Sequence, residues 1–510
     1  MSTAVAQTPV WTRPYPTSQL SAQIDTPVGC MEADGSLYVA GTVKYSSTAS
    51  VVRVVRYTRE NPSGTGIIGD GQWPAIDPEA TLYTATHMDV FANPSIDYVR
   101  VYVAGEVPVN GLKRVFVICF QANYTTGAMD LAWSKVIDDD DSEDADRQDD
   151  DRCVGLSVGA NENYVAVGID RKGSGRDMKA CALNTSNGTT AFGGIWTSSG
   201  TVDDVPVGVA ISGSSTSQGG TFIYIGGTTT VSGVLKYKIV GWQNGNSAQI
   251  ANLTPFGAAS QHCKATVFAN PGGWSTDWEV PRTYPHLLIS GHCYPSSVAD
   301  SDYYTESYLV NGDGSLTQRW AEEVNQTGMD IPTAVMAIAD AGSSESDPFS
   351  FVWITGSNTV NGRANVYTIQ RDDDGIGFTY DWSSIVAGPS TLGPDRGLAV
   401  SVGLSATENQ VPIQSPNVYV VGAVQSANDA HANYVLLRYN AFVTTTTQSP
   451  KWTAIYNRAD YDDVALALGC RQWVESNVNV WSIFTTGTAT AASSAADWGT
   501  RRYDDANPEP

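Results

Sequence analysis

Positive charge is scarce in this 510-residue chain. Lys and Arg number 29 against 53 Asp and Glu, which gives a formal net charge of −24 at pH 7 and a pI near 4.4. Phosphate backbones would be repelled by such a surface, so nucleic acid is excluded as a partner. Only 16% of the residues are charged, a fraction typical of proteins that work outside cells.

Long apolar runs are also missing. No stretch of ~18 apolar residues occurs, so we expect no membrane insertion. The first 16 residues, MSTAVAQTPVWTRPYP, have neither a basic start nor an apolar core, so no classical signal peptide is visible. Together with the composition, this predicts an extracellular or virion protein that leaves the cell by another route, such as lysis.

Residues for metal or covalent chemistry are sparse and scattered. The seven cysteines include no CxxC pair, and their odd number does not indicate a disulfide framework. We expect them to be small buried apolar residues. His262, His286 and His292 belong to one repeat, with Cys263 and Cys293 nearby, and could form a metal site. However, His286 and His292 are six residues apart around a strand end, which places them far from each other along the strand. No G-x-S-x-G motif stands in a strand-turn-helix context, and no catalytic triad is apparent.

Glycine, by contrast, recurs with a regular period. Eight apolar runs such as YVAG, LISG and WITG end in a glycine, and successive glycines lie between 58 and 66 residues apart: Gly41, Gly105, Gly168, Gly226, Gly291, Gly356, Gly422 and Gly487. A tryptophan series runs between them, at Trp11, Trp73, Trp133, Trp196, Trp320, Trp382 and Trp452, with one member missing near Leu253. Fixed-period similarity indicates a repeat protein.

Each repeat is predicted to contain four strands: a small apolar strand, the glycine-ended strand, an alternating strand and a tryptophan strand. Four antiparallel strands repeated radially form a β-propeller. The last repeat lacks its fourth strand, whereas the segment around Trp11 is a fourth strand with no repeat before it. Pairing them closes the ring and leaves no open sheet edge there.

The predicted fold is therefore all-β: one eight-bladed propeller domain over residues 1–510, with seven blades as the alternative because blade four lacks its tryptophan. The expected blades cover residues 24–76, 84–137, 151–200, 204–256, 261–325, 331–387, 396–457, and 463–504 together with N-terminal strand 8–16.

The repeats resemble a family of bacterial propeller repeats in which an Asp opens the first strand, an aromatic-Val-x-Gly strand follows, and a Trp closes the blade. The matching stretches are DTPVGCMEADGSLYVAGTV at Asp25, DRGLAVSVG at Asp395 and DVALALGC at Asp463. The blades beginning near Thr86 and Cys263 lack the opening Asp. The resemblance implies a scaffold with no shared catalytic residues, so function has to be argued from the sites.

An acidic run and an aromatic loop are the two candidate sites. DDDDSEDADRQDDD could be a solvated loop or could bind Ca²⁺, a cation that takes several oxygen ligands; the candidate ligands are Asp138, Asp139, Asp140, Asp141, Asp144 and Asp146. Trp274, Trp278 and Tyr284 lie in the long loop of blade five. Their rings either cover that loop or bind a glycan or protein partner.

These features favour a non-enzymatic structural or recognition module on the exterior of a cell or particle, with a phage virion appendage as the most concrete case. No cofactor is expected apart from the possible Ca²⁺. The loops between first and second strands should share one rim with the third-to-fourth turns, and binding is expected there. The alternative is a glycan-active or polysaccharide-cleaving enzyme that uses acids such as Asp89, Asp277 or Asp302.

Overall fold

A computed structural model describes the following parts of the chain: residues 5–6, 11–14, 26–33, 36–58, 67–74, 81–93, 98–123, 126, 128–137, 150–159, 163–172, 175–197, 203–212, 221–253, 262–269, 286–294, 301–324, 328–339, 350–373, 378–388, 395–403, 417–425, 431–440, 446–456, 463–475, 478–491 and 494–506. Every regular element within these residues is a β-strand. No helix in them is long and apolar enough to cross a membrane.

Two short strands come first, β1 (Val5–Ala6) and β2 (Trp11–Pro14). Four sheets of four strands follow as blades one to four: β3 (Thr26–Ala33), β4 (Ser36–Lys44), β5 (Ser50–Thr58), β6 (Ile67–Trp73); β7 (Thr84–Asn93), β8 (Tyr98–Val109), β9 (Leu112–Asn123), β10 (Met129–Ile137); β11 (Asp150–Val158), β12 (Tyr164–Lys172), β13 (Arg176–Asn184), β14 (Thr190–Trp196); β15 (Val205–Ser212), β16 (Phe222–Val231), β17 (Val234–Gln243), β18 (Asn246–Leu253).

Blades five to eight continue the same order: β19 (His262–Ala269), β20 (His286–Tyr294), β21 (Asp302–Val310), β22 (Leu316–Val324); β23 (Met329–Ala339), β24 (Ser350–Val360), β25 (Arg363–Asp373), β26 (Phe378–Val386); β27 (Arg396–Gly403), β28 (Asn417–Gln425), β29 (Ala432–Asn440), β30 (Trp452–Tyr456); β31 (Asp463–Glu475), β32 (Val478–Ala491), β33 (Ser494–Ala506). Within each blade, consecutive strands pair antiparallel.

The first strands of the blades form a closed ring. Each contacts the first strands of both neighbouring blades, from β3 through β7, β11, β15, β19, β23 and β27 to β31, and β31 contacts β3 again. The first strands therefore surround the central channel. The predicted eight-bladed propeller is confirmed.

The N-terminal segment closes the ring as predicted. Strand β2 pairs antiparallel with β33, with Trp11 opposite Arg502, and so supplies the fourth strand of blade eight. Strand β1 was not anticipated: it pairs in parallel with β30 as a fifth strand on the edge of blade seven, with Val5 opposite Trp452. The N-terminus thus joins two neighbouring blades and covers an edge of each.

Blade four has a complete sheet, so the seven-blade alternative is wrong. Its fourth strand is β18, and Leu253 lies opposite Ile239. At the register position that Trp320 occupies in blade five, blade four has Ala251, opposite Gly241, so its fourth strand forms without a tryptophan.

A β-bulge in each first strand explains most of the periodic glycines. All eight first strands shift register by one residue opposite the glycine-ended strand. A Cβ at Gly105 would lie 2.1 Å from the Thr84 carbonyl oxygen, and one at Gly291 would lie 2.0 Å from that of Lys264. In blade four the equivalent backbone clash falls on Gly227 instead of Gly226. In blade three, Ile169 stands opposite the bulge. In the other seven blades the bulge brings a backbone oxygen so close that only glycine fits.

The hydrophobic cores lie between blades. Val and Ile side chains of the inner three strands pack against those of the next blade, for example Val54 of blade one with Phe120 of blade two. The series tryptophans also reach across: the Trp382 ring lies 5.1 Å from that of Tyr439 in the next blade. Opening aspartates do the same, since Asp395 accepts backbone N–H bonds from both Gly388 and Gln425, at 2.6 and 2.7 Å.

The cysteines require one correction. Cys263 and Cys293 form a disulfide, whereas buried, unpaired cysteines are expected from the sequence. They lie opposite each other on β19 and β20 while 30 residues apart in sequence, so only the strand register reveals the pairing. Four of the others are buried as expected: Cys30, Cys119, Cys153 and Cys181.

Candidate functional site

Both candidate sites singled out in the sequence lie outside the described residues. They are the aromatic loop, with Trp274, Trp278 and Tyr284, and the acidic run, with Asp138, Asp139, Asp140, Asp141, Asp144 and Asp146. Both therefore stay predictions. Within the described residues, no group of three or more His, Cys, Asp or Glu side chains is arranged to hold a metal ion.

The histidines of blade five pack around a tyrosine. The rings of His262 and His292 stack on Tyr294, with centroid distances of 5.4 and 6.2 Å. The Nδ1 atom of His262 accepts the backbone N–H of Leu235 in blade four, at 3.3 Å. Burial lowers the pKa of His292 to about 4, so that ring is neutral at physiological pH. This arrangement supports packing at a blade interface better than metal binding.

The candidate catalytic acids are not brought together. Asp89 lies on the first strand of blade two, Asp302 on the third strand of blade five, and Asp277 outside the described residues. The Asp89 carboxylate accepts the backbone N–H groups of Val90 and Val158, each at 2.8 Å. A glycosidase needs two carboxyl groups within roughly 5–10 Å of each other across one bond, and these strands give no such pair.

An open polar cleft lies on the rim where binding was expected. Its volume is about 590 Å³, and its lining residues come from the second strands of blades two and three and from one third-to-fourth turn: Tyr98, Arg100, Asn163, Tyr164, Asn184, Thr185 and Ser186. Tyr98 and Tyr164 begin strands that follow first-to-second loops, and Asn184 ends β13 before the turn. The two kinds of connection therefore meet at this cleft, which we call the rim cleft.

Two tyrosines provide the aromatic surface of the rim cleft. The Arg100 guanidinium carbon lies over the Tyr98 ring, 4.6 Å from its centroid. The Tyr164 ring packs edge-on against Phe192 at 5.4 Å, and its hydroxyl accepts a hydrogen bond from Asn244 Nδ2 of blade four, at 2.9 Å. Neighbouring groups thus hold both rings in place, and ordering them on binding costs little side-chain entropy.

The turn after β13 forms the polar wall. Gly188, at a φ of 72°, donates its backbone N–H to the Asn184 carbonyl at 2.8 Å, and Asn187 Oδ1 accepts the N–H of Thr189 at 3.0 Å. Trp133 of blade two anchors the turn by donating Nε1–H to the Thr185 carbonyl at 2.6 Å. A Cβ on Gly188 would lie 2.5 Å from the Trp133 ring, so the turn rests directly on this indole.

The rim cleft offers groups that can contact both apolar and polar surfaces of a ligand. The seven described residues that line it supply phenol rings, amides, hydroxyls and a guanidinium. Aromatic faces framed by hydrogen-bonding groups suit a ligand that has both apolar and polar faces.

Sequence reasoning missed the residues of the rim cleft. Binding is expected at the loops between first and second strands, and Tyr98 begins the second strand of blade two, directly after such a loop. However, no sequence pattern relates Tyr98 to the turn after Asn184 in another blade. The strand order within each repeat was the available signal, because it predicts which connections share a rim.

No family model matches the chain, and a search of curated proteins found no match. Among solved structures, the quinohemoprotein alcohol dehydrogenase from Comamonas testosteroni is similar over 99% of this chain and 78% of its own, with 10% identity and a TM-score of 0.46. Sqt1 from Chaetomium thermophilum is similar over 98% and 100%, with 9% identity and a TM-score of 0.47. Likenesses at this level say nothing of ligand or reaction.

Proposed function

We propose that this propeller is a non-enzymatic recognition module that binds a glycan in the rim cleft. The single observation that carries the proposal is the pair of fixed tyrosine rings, Tyr98 and Tyr164, in a cleft otherwise lined by amides, hydroxyls and a guanidinium. A sugar ring has apolar C–H faces that stack on aromatic side chains and equatorial hydroxyls that need hydrogen-bond partners. The rim cleft offers both.

The proposed setting is the exterior of a cell or particle, with a virion appendage as the most concrete case. The low charged fraction of 16% supports it. The disulfide between Cys263 and Cys293 also supports it, since disulfides persist in oxidising surroundings.

The test is a glycan-array screen of the purified protein, followed by calorimetric titration of the strongest ligand. Tyr98→Ala and Tyr164→Ala should each weaken binding about tenfold, which corresponds to ~1.4 kcal/mol. Tyr164→Phe should bind nearly as well as the parent because it keeps the ring face. Tyr45→Ala is the matched control: Tyr45 is half-buried on blade one, and its hydroxyl donates to Gln72 at 3.1 Å.

Three outcomes would contradict the proposal. The first is the absence of any glycan ligand. The second is loss of binding in a Trp274→Ala/Trp278→Ala double variant with no effect of Tyr98→Ala, which would place the site in the blade-five loop. The third is release of new reducing ends from a polysaccharide by the purified protein, which would make it an enzyme.

A further inference from the structure

The central channel holds a second cavity, distinct from the rim cleft. Its volume is about 310 Å³, room for about ten water molecules at ~30 Å³ each. The first strands of blades two to five form its wall with these residues: His87, Asp89, Val154, Gly155, Leu156, Ser157, Val207, Gly208, Val209 and Phe268. We call it the channel cavity.

Most of this wall is apolar, as expected from the small residues of the first strands. Blades three to five contribute aliphatic side chains such as Leu156 and Val207, together with the buried Phe268. The first-strand bulges place glycines here as well: a Cβ on Gly208 would lie 2.5 Å from the Phe268 carbonyl oxygen. These close approaches leave a wall that a compact apolar group can contact on several sides.

Polar groups line the blade-two side. Each oxygen of Asp89 accepts one backbone N–H, so each keeps a further lone pair. His87 Nδ1 lies 2.9 Å from Thr86 Oγ1 and 3.6 Å from Cys153 Sγ. If Nδ1 carries the proton, Nε2 remains an acceptor, and the Ser157 hydroxyl on β11 adds a third acceptor to the lining.

The channel cavity contains a negative charge, and no cation faces it among the lining residues that the structure describes. Burial raises the pKa of Asp89 to about 6, so the carboxyl is ionised at pH 7.5. Burial also lowers the pKa of His87 to about 4, so the imidazole is neutral there. Among the described residues that line the cavity, none is Lys or Arg. A charged group in such surroundings is stabilised by an opposite charge that also donates hydrogen bonds.

We propose that the channel cavity binds a small organic cation, a primary ammonium compound with a compact apolar body. Its three N–H donors match the three kinds of acceptor provided by Asp89, His87 and Ser157, and its body suits the aliphatic and Phe268 wall. A hard metal cation fits less well, because it takes six or more oxygen ligands and this lining offers one carboxylate and one hydroxyl.

The probe is n-butylammonium chloride, titrated by calorimetry at pH 7.5, with 1-butanol and sodium butyrate as matched compounds without the positive charge. The ammonium salt should bind the parent protein, and Asp89→Asn should weaken it at least tenfold. Asp313→Asn is the control, since Asp313 lies in the fully exposed turn after β21 and should leave binding unchanged. Tyr98→Ala should also leave it unchanged, which separates this proposal from glycan binding.

Asp89→Asn also alters groups that hold the first strands, so a second variant acts from the opposite wall. Val207→Phe should fill part of the channel cavity and reduce butylammonium affinity without touching Asp89. Equal binding of 1-butanol, undiminished binding in both variants, or no butylammonium binding to the parent would each overturn the proposal. Zn²⁺ binding that depends on Asp89 in a protein indifferent to butylammonium would also overturn it, by assigning the cavity to a metal.

Discussion

Replacement of one periodic glycine by alanine tests the bulge explanation of the repeat. In Gly291→Ala, the new Cβ would lie 2.0 Å from the Lys264 carbonyl oxygen, whereas real Cβ contacts stay beyond 3.0 Å. The backbones of β19 and β20 must therefore separate by about 1 Å at this point. Because the obstacle is backbone and not a flexible side chain, we expect the free energy of unfolding to fall by about 3 kcal/mol, the upper end of the range for overpacking.

The assay is differential scanning calorimetry of the parent and two variants. At roughly 2.1 cal/mol/K per residue, a chain of 510 residues that unfolds as one unit loses about 1 °C in Tm per kcal/mol, so Gly291→Ala should melt about 3 °C lower. Gly312→Ala, in the same blade, is the matched control because no atom lies within 4 Å of its new Cβ. If both variants melt at the same temperature, the bulge does not explain the glycine spacing.

Three further predictions concern other parts of the ring. Burial raises the pKa of Glu306 from 4.5 to about 7, so between these values the folded state binds more protons than the unfolded state. The contribution of this carboxyl to stability, about 3 kcal/mol, is full below pH 4.5, falls as pH rises from there and is lost once pH has risen through 7. The Tm of the parent should fall relative to Glu306→Gln between pH 5 and 8, and parallel curves would contradict this. Deleting residues 1–17 should expose the edges of β30 and β33 and cause aggregation that a peptide of residues 1–17 suppresses; a deletion variant as soluble and heat-stable as the parent would argue against ring closure. Calcium should raise the Tm if Asp138–Asp146 bind it, and Mg²⁺ should not; indifference to a chelator would leave the run a solvated loop.

The sequence predicted the architecture because the same packing constraints recur from blade to blade, so the same residue types recur at a fixed period. In seven of the eight blades a bulge admits only glycine at one position of the second strand, so the glycine period followed the blade period closely enough to predict the blade count. A fourth strand at the start of the chain and a missing one at its end predicted how the ring closes. The opening Asp395 ties neighbouring blades through backbone N–H groups.

Three arrangements that join residues distant in sequence could not be predicted in this way. The parallel pairing of β1 with β30, the disulfide between Cys263 and Cys293, and the meeting of Tyr98 with the turn after Asn184 each join residues that no local pattern relates. Strand and turn propensities act over a few neighbouring residues, and a period reveals how many times a unit occurs. Which side chains of adjacent units share a cleft or a cavity depends on strand register, bulges and the curvature of the ring, and these exist only once all eight blades have packed together.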